Sequence, residues 1–112
     1  MQIQTSHTHF TSLKADKTGK ALINYRINQG ETPVQDWQKL HDLTIAEKNN
    51  PNEILITKKG GDLGLKATIT HKATGVQHII YENELEPKNP IQFIERVIQK
   101  EKEINKFLSY NA

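Results

Sequence analysis

Two prolines frame what this chain can fold into. Thr32-Pro33-Val34-Gln35 and Asn89-Pro90-Ile91-Gln92 each place a capping residue, then a proline, ahead of an apolar stripe. Proline at the first helical position loses an N–H that would be orphaned anyway, and a Gln two places later can close a capping box. After Pro33, the residues Val34, Trp37, Leu40, His41, Thr44 and Ile45 recur at helical spacing, and Asn49-Asn50-Pro51 ends the run. After Pro90, the stripe is Ile91, Ile94, Val97, Ile98, Ile104, Phe107 and Leu108, with Lys100, Lys102 and Lys106 toward the end where cations suit the helix dipole. The spacing predicts helices over 33–48 and 90–108.

Strand-like runs lie between them. Ile54 to Thr57, Leu65 to His71 and Val76 to Tyr81 are separated by Lys59-Gly60-Gly61-Asp62-Leu63-Gly64 and by Lys72-Ala73-Thr74-Gly75. This predicts a three-stranded meander over 54–82, whose second turn closes on two residues or on three with a bulge at Gly75. Ahead of the first helix, Asp16-Lys17-Thr18-Gly19-Lys20 suits a hairpin loop over residues 2–29. That hairpin sets Leu13 against Ile23, Thr11 against Tyr25 and His9 against Ile27. The expected fold is a single α+β domain over 1–112. It is a two-layer sandwich of order ββαβββα, with a five-stranded, mainly antiparallel sheet and two helices on one face.

Composition allows this and excludes much else. A chain of 112 residues buries about 65% of its unfolded surface, enough for one core. There is no Cys, so no disulfide frame and no thiol nucleophile, and no apolar run approaches the ~20 residues of a membrane span. Met1 to His7 has neither the basic nor the apolar region of a signal peptide, which makes a cytoplasmic location the expectation.

Catalytic patterns are weak. No serine sits in a G-x-S-x-G elbow. Glu82, Glu84 and Glu86 alternate and would share one side of an extended segment, an arrangement that suits a solubilising edge better than an acid–base pair. His7 and His9 share a strand face, and His71 and His78 flank a turn, so a histidine metal site is a distant alternative that depends on register. The glycines of the 59–64 loop lack the Gly-Lys-Ser/Thr ending and following helix of a P-loop. No cofactor is implied, and the chain reads as no enzyme.

Binding is the stronger class. Lys58, Lys59, Lys66 and Lys72 cluster in the meander and form a candidate basic patch, although the net charge is only +2. The order α-β-β-β-α over 33–108 is similar, in topology alone, to that of the double-stranded-RNA-binding domain. That similarity implies phosphate-backbone contact. Those domains carry lysines at the start of the last helix, where this chain has Glu84, Glu86 and Pro90. Tyr25, Tyr81 and Arg26 are candidate interface residues for a protein partner, the first-ranked reading. A regulator or inhibitor of the kind mobile elements encode fits this size and chemistry, nucleic acid ranks second, and a homodimer through an edge strand is open.

Overall fold

The computed structural model describes residues 12–60, 64–83 and 89–110. The elements are β1 (Leu13–Ala15), α1 (Lys17–Asn28), α2 (Pro33–Ala46), β2 (Glu53–Lys58), β3 (Leu65–Thr70), β4 (Gln77–Tyr81) and α3 (Pro90–Tyr110). They build a four-stranded mixed sheet of order β1-β2-β3-β4. β2, β3 and β4 form the expected antiparallel meander, while β1 lies parallel to β2, with Leu13 beside Ile54. The class is α+β, as expected. The described residues hold four strands and three helices in place of five and two.

The difference lies in residues 17–28, which are helical where a second hairpin strand was expected. Residues 1–11, including Thr11, His7 and His9 of that hairpin, lie outside the described residues. Asp16 decides the matter locally. Its backbone is extended, and its carboxylate accepts the Gly19 N–H at 2.7 Å and the Thr18 hydroxyl at 2.8 Å, a helix cap. The Gly19 N–H is the main reason that carboxyl is held below its usual range; burial opposes the shift and the Thr18 hydroxyl reinforces it. Periodicity is ambiguous here, because Ile23, Tyr25 and Ile27 fit alternation while Ile23 and Ile27 also fit a helix. Leu22 breaks the tie. It is buried with Ile23 and Ile27 on one helical face, and Tyr25 is left 57% exposed. A parallel neighbour also needs a crossover of a dozen or more residues, which α1 and α2 supply.

Gly19 lets α1 approach β2. A Cβ there would collide with the Ile56 carbonyl oxygen and stand 3.0 Å from its carbon and 3.2 Å from Thr57 Cα. Alanine would favour the helix by about 1 kcal/mol. Overpacking against backbone that cannot swing aside costs about 1–3 kcal/mol, and that term wins. Gly19→Ala is expected to lower the urea midpoint at unchanged m-value. A midpoint that held or rose would mean that α1 is not pressed on β2.

The core occupies one side of the sheet. Leu13, Ile54, Ile56, Leu65, Ala67 and Ile69 meet Ile23 and Ile27 of α1 and Phe93, Ile94 and Val97 of α3. Helix α2 packs on α1 and α3. Its buried row is Asp36, Leu40, Leu43 and Glu47, so most of the stripe expected to be core is not: Val34 is 81% exposed, and Ile45 and His41 also face out. At the far end of α3, Phe107 is exposed too. Nor does Thr32 close a capping box, since its side chain makes no capping bond. Asn89 ties the two helix starts together instead, donating to the Asp36 carboxylate at 3.1 Å and accepting the Ile91 N–H at 2.8 Å.

The turn between β3 and β4 is longer than expected. Thr70 pairs with Gln77, and His71 N–H donates to Val76 at 2.8 Å, leaving residues 72–75 as the turn. Gly75 closes it at φ 79°, left-handed backbone that glycine adopts without strain.

Candidate functional site

Among the described residues, the helices cover one face of the sheet and leave the other bare. Strand alternation and register place three rows across that bare face: Lys14–Leu55–Thr68–Ile79, Thr57–Lys66–Tyr81 and Glu53–Thr70–Gln77. Ile79 and Tyr81 are 54% and 52% exposed on β4, and Leu55 is half-buried between its neighbours. The doublet Ile79-Ile80 is the sequence sign of this arrangement, since adjacent strand residues must point to opposite faces. Ile80 goes to the core and Ile79 to the surface.

Charge on this face is partly spent. Glu53 receives Lys14 at 3.1 Å and Lys72 at 3.7 Å. The hydrogen bond from Lys14 chiefly holds the Glu53 carboxyl below its usual range. Partial burial opposes that shift, and the positive charges of Lys14 and Lys72 reinforce it.

The four lysines of the candidate basic patch are therefore not gathered. Lys66 lies in the row of Tyr81, and Lys59 stands over the Tyr81 ring at 5.9 Å, so these two share one end of the face. Lys72 is at the other end of β3, beside Glu53. Lys58 pairs with the buried Leu65 and by alternation belongs to the helix side.

The candidate interface residues are also divided. Tyr81 is on the bare face, whereas Tyr25 is on α1. Arg26 is half-buried and forms two parallel bonds to Glu82, at 2.6 and 2.8 Å. Glu82 also accepts the Leu65 N–H at 3.0 Å, so it is a buried clamp rather than part of a solvated acidic edge. Glu84 and Glu86 lie outside the described residues.

His71 and His78 do not face each other, because Ile69 is the partner of His78. His71 is buried, with Nδ1 2.9 Å from the Thr74 hydroxyl inside the turn. Among the described residues no three His, Cys, Asp or Glu side chains converge as a metal site. No helix among them is long and apolar enough to cross a membrane.

No family model, curated protein or solved structure matches the chain. Its chemistry has to be read from its own surfaces. The bare face offers aliphatic and aromatic area framed by threonines and lysines, with no arranged nucleophile, acid–base pair or metal ligand set among the described residues. Such a surface can exclude water against a partner and hydrogen-bond at its rim.

Proposed function

We propose that this protein is a non-enzymatic binding module that docks a protein partner on the bare face of its sheet, acting as a regulator or inhibitor of that partner. The observation that carries the reading is the pair Ile79 and Tyr81, half-exposed on a face that no helix among the described residues covers. An isoleucine and a tyrosine set between threonines and a lysine have the apolar centre and polar surround of a docking surface. Nucleic acid is less well supported. Non-specific phosphate binding needs several cations acting together, and here Lys14 and Lys72 are engaged by Glu53 while Lys58 belongs to the other side.

The test compares proteins captured from a lysate of the source organism by the wild type, by Ile79→Asp with Tyr81→Ala, and by Tyr25→Ala. A protein held by the wild type and by Tyr25→Ala, but at least about 30-fold more weakly by the double variant, is the expected result, corresponding to loss of a ~2 kcal/mol hot spot. Capture that ignores the double variant removes the sheet face from the reading. Steeply salt-dependent binding of duplex RNA, lost on changing Lys59 and Lys66 to Ala, would put nucleic acid in its place.

A further inference from the structure

A cleft of about 730 Å³ opens at the β1 edge of the sheet, on its helix side. It runs along β1, the edge strand of the sheet among the described residues, under α1 and α2, and all three residues of β1 line it. Its floor is core: Ile23, Ile56 and Ile94. Its wall on α2 is Trp37, Leu40 and Thr44: Leu40 packs against the core, Thr44 is half-buried, and Trp37 is 38% exposed. The Trp37 indole is held in place, its Nε1–H donating to Asn28 Oδ1 at 3.1 Å. Two cations stand at the lining, and they are not equivalent. Lys14 is paired with Glu53, whereas Lys20 makes no ion pair among the described residues.

We propose that this cleft is a binding site for a small amphipathic anion, an apolar chain or ring bearing one carboxylate. The apolar body lies between the Trp37–Leu40 wall and the core floor, and the carboxylate meets the Lys20 ammonium. The volume falls in the ~300–1,000 Å³ range of small-ligand pockets, and a mostly apolar lining with one uncommitted charge is the composition such pockets have. A peptide adding a strand to β1 is the weaker occupant, because three residues of edge offer very little ladder. This site is independent of the sheet-face reading.

The protein carries its own reporter, since Trp37 is its single tryptophan. The experiment titrates decanoate and decanol, both below their aggregation limits, and follows Trp37 emission. Both should shift the emission to the blue, with decanoate binding about two- to fivefold more tightly, the strength of a solvent-accessible ion pair. Lys20→Gln should remove that preference and leave decanol unchanged. Ala21→Phe, at an exposed helix position that lines the cleft, should block both ligands without unfolding the chain. No emission change with either ligand, or binding that survives Ala21→Phe, overturns the site. A carboxylate preference that survives Lys20→Gln overturns the assignment of the anion to Lys20.

Discussion

Glu82→Ala is expected to cost the protein about 3–5 kcal/mol, the penalty for breaking a buried ion pair by removing one member. The Arg26 and Glu82 side chains are 13% and 7% exposed, and their two parallel bonds have the fork geometry that only Arg supplies. Removing the carboxylate takes both of these bonds from the guanidinium and the acceptor from the Leu65 N–H as well. Domains of this size are stable by about 5–15 kcal/mol in total, so the variant should lose a large share of its stability.

A large single-variant cost does not mean that the pair itself is strongly stabilising. Desolvating both ions offsets most of their attraction, and a neutral pair of similar shape often does as well. Arg26→Met combined with Glu82→Gln keeps an acceptor for Leu65 and should recover most of what either change loses alone. Urea denaturation of the cycle measures this directly. If the two losses simply add, the clamp is not acting as a unit.

The same carboxylate shows what the sequence left hidden. Alternation put Glu82 with Glu84 and Glu86 in a solvated stripe, and nothing local to the chain indicates that Arg26 closes on it from 56 residues away. The meander and the starts of α2 and α3 were legible because proline, turn residues and strict periodicity act locally. Helix α1 was half-legible: Asp16 and Gly19 could be read as a hairpin loop or as a cap, and Leu22 was the residue that favoured the cap. For α2, an apolar stripe was taken as the buried face by default. The chain instead buries the row that carries Asp36 and Glu47, because Asn89, Asn50 and Lys102 satisfy those carboxylates. Which face of a helix is inside is thus settled by partners distant in sequence. The candidate site follows the same division. The lysines of the meander were visible in the sequence, but the placing of Lys58 on the helix side and the spending of Lys14 and Lys72 on Glu53 needed the register.

The second large effect is expected at Glu101. It lies midway along α3, 2% exposed, and each carboxylate oxygen accepts an amide, from Asn50 at 2.9 Å and from Asn52 at 2.7 Å. Asn50 also donates to Glu47, Asn52 also donates to Asn105 at 3.0 Å, and Glu47 receives Lys102 at 3.2 Å. The Asn49-Asn50-Pro51-Asn52 segment that ends α2 is thereby pinned to α3 just before β2 begins. Glu101→Ala removes both acceptors and leaves the half-buried Asn50 amide and the buried Asn52 amide each short of one bond. Hydrogen bonds to charged groups contribute about 1.5–3 kcal/mol each, so a loss of about 3 kcal/mol is a conservative expectation. At roughly 4–8 °C per kcal/mol for a small domain, the melting temperature should fall by about 12–24 °C. Glu101→Gln keeps one acceptor but turns an N–H toward a donor, and should lie between alanine and wild type. Asn52→Ala removes one of the same bonds, so its cost and that of Glu101→Ala should add to more than the double variant loses. A melting temperature for Glu101→Ala within about 2 °C of wild type would show that the carboxylate is not what holds the segment. Full additivity with Asn52→Ala would show the same, and the placement of β2 would then rest on its ladders with β1 and β3.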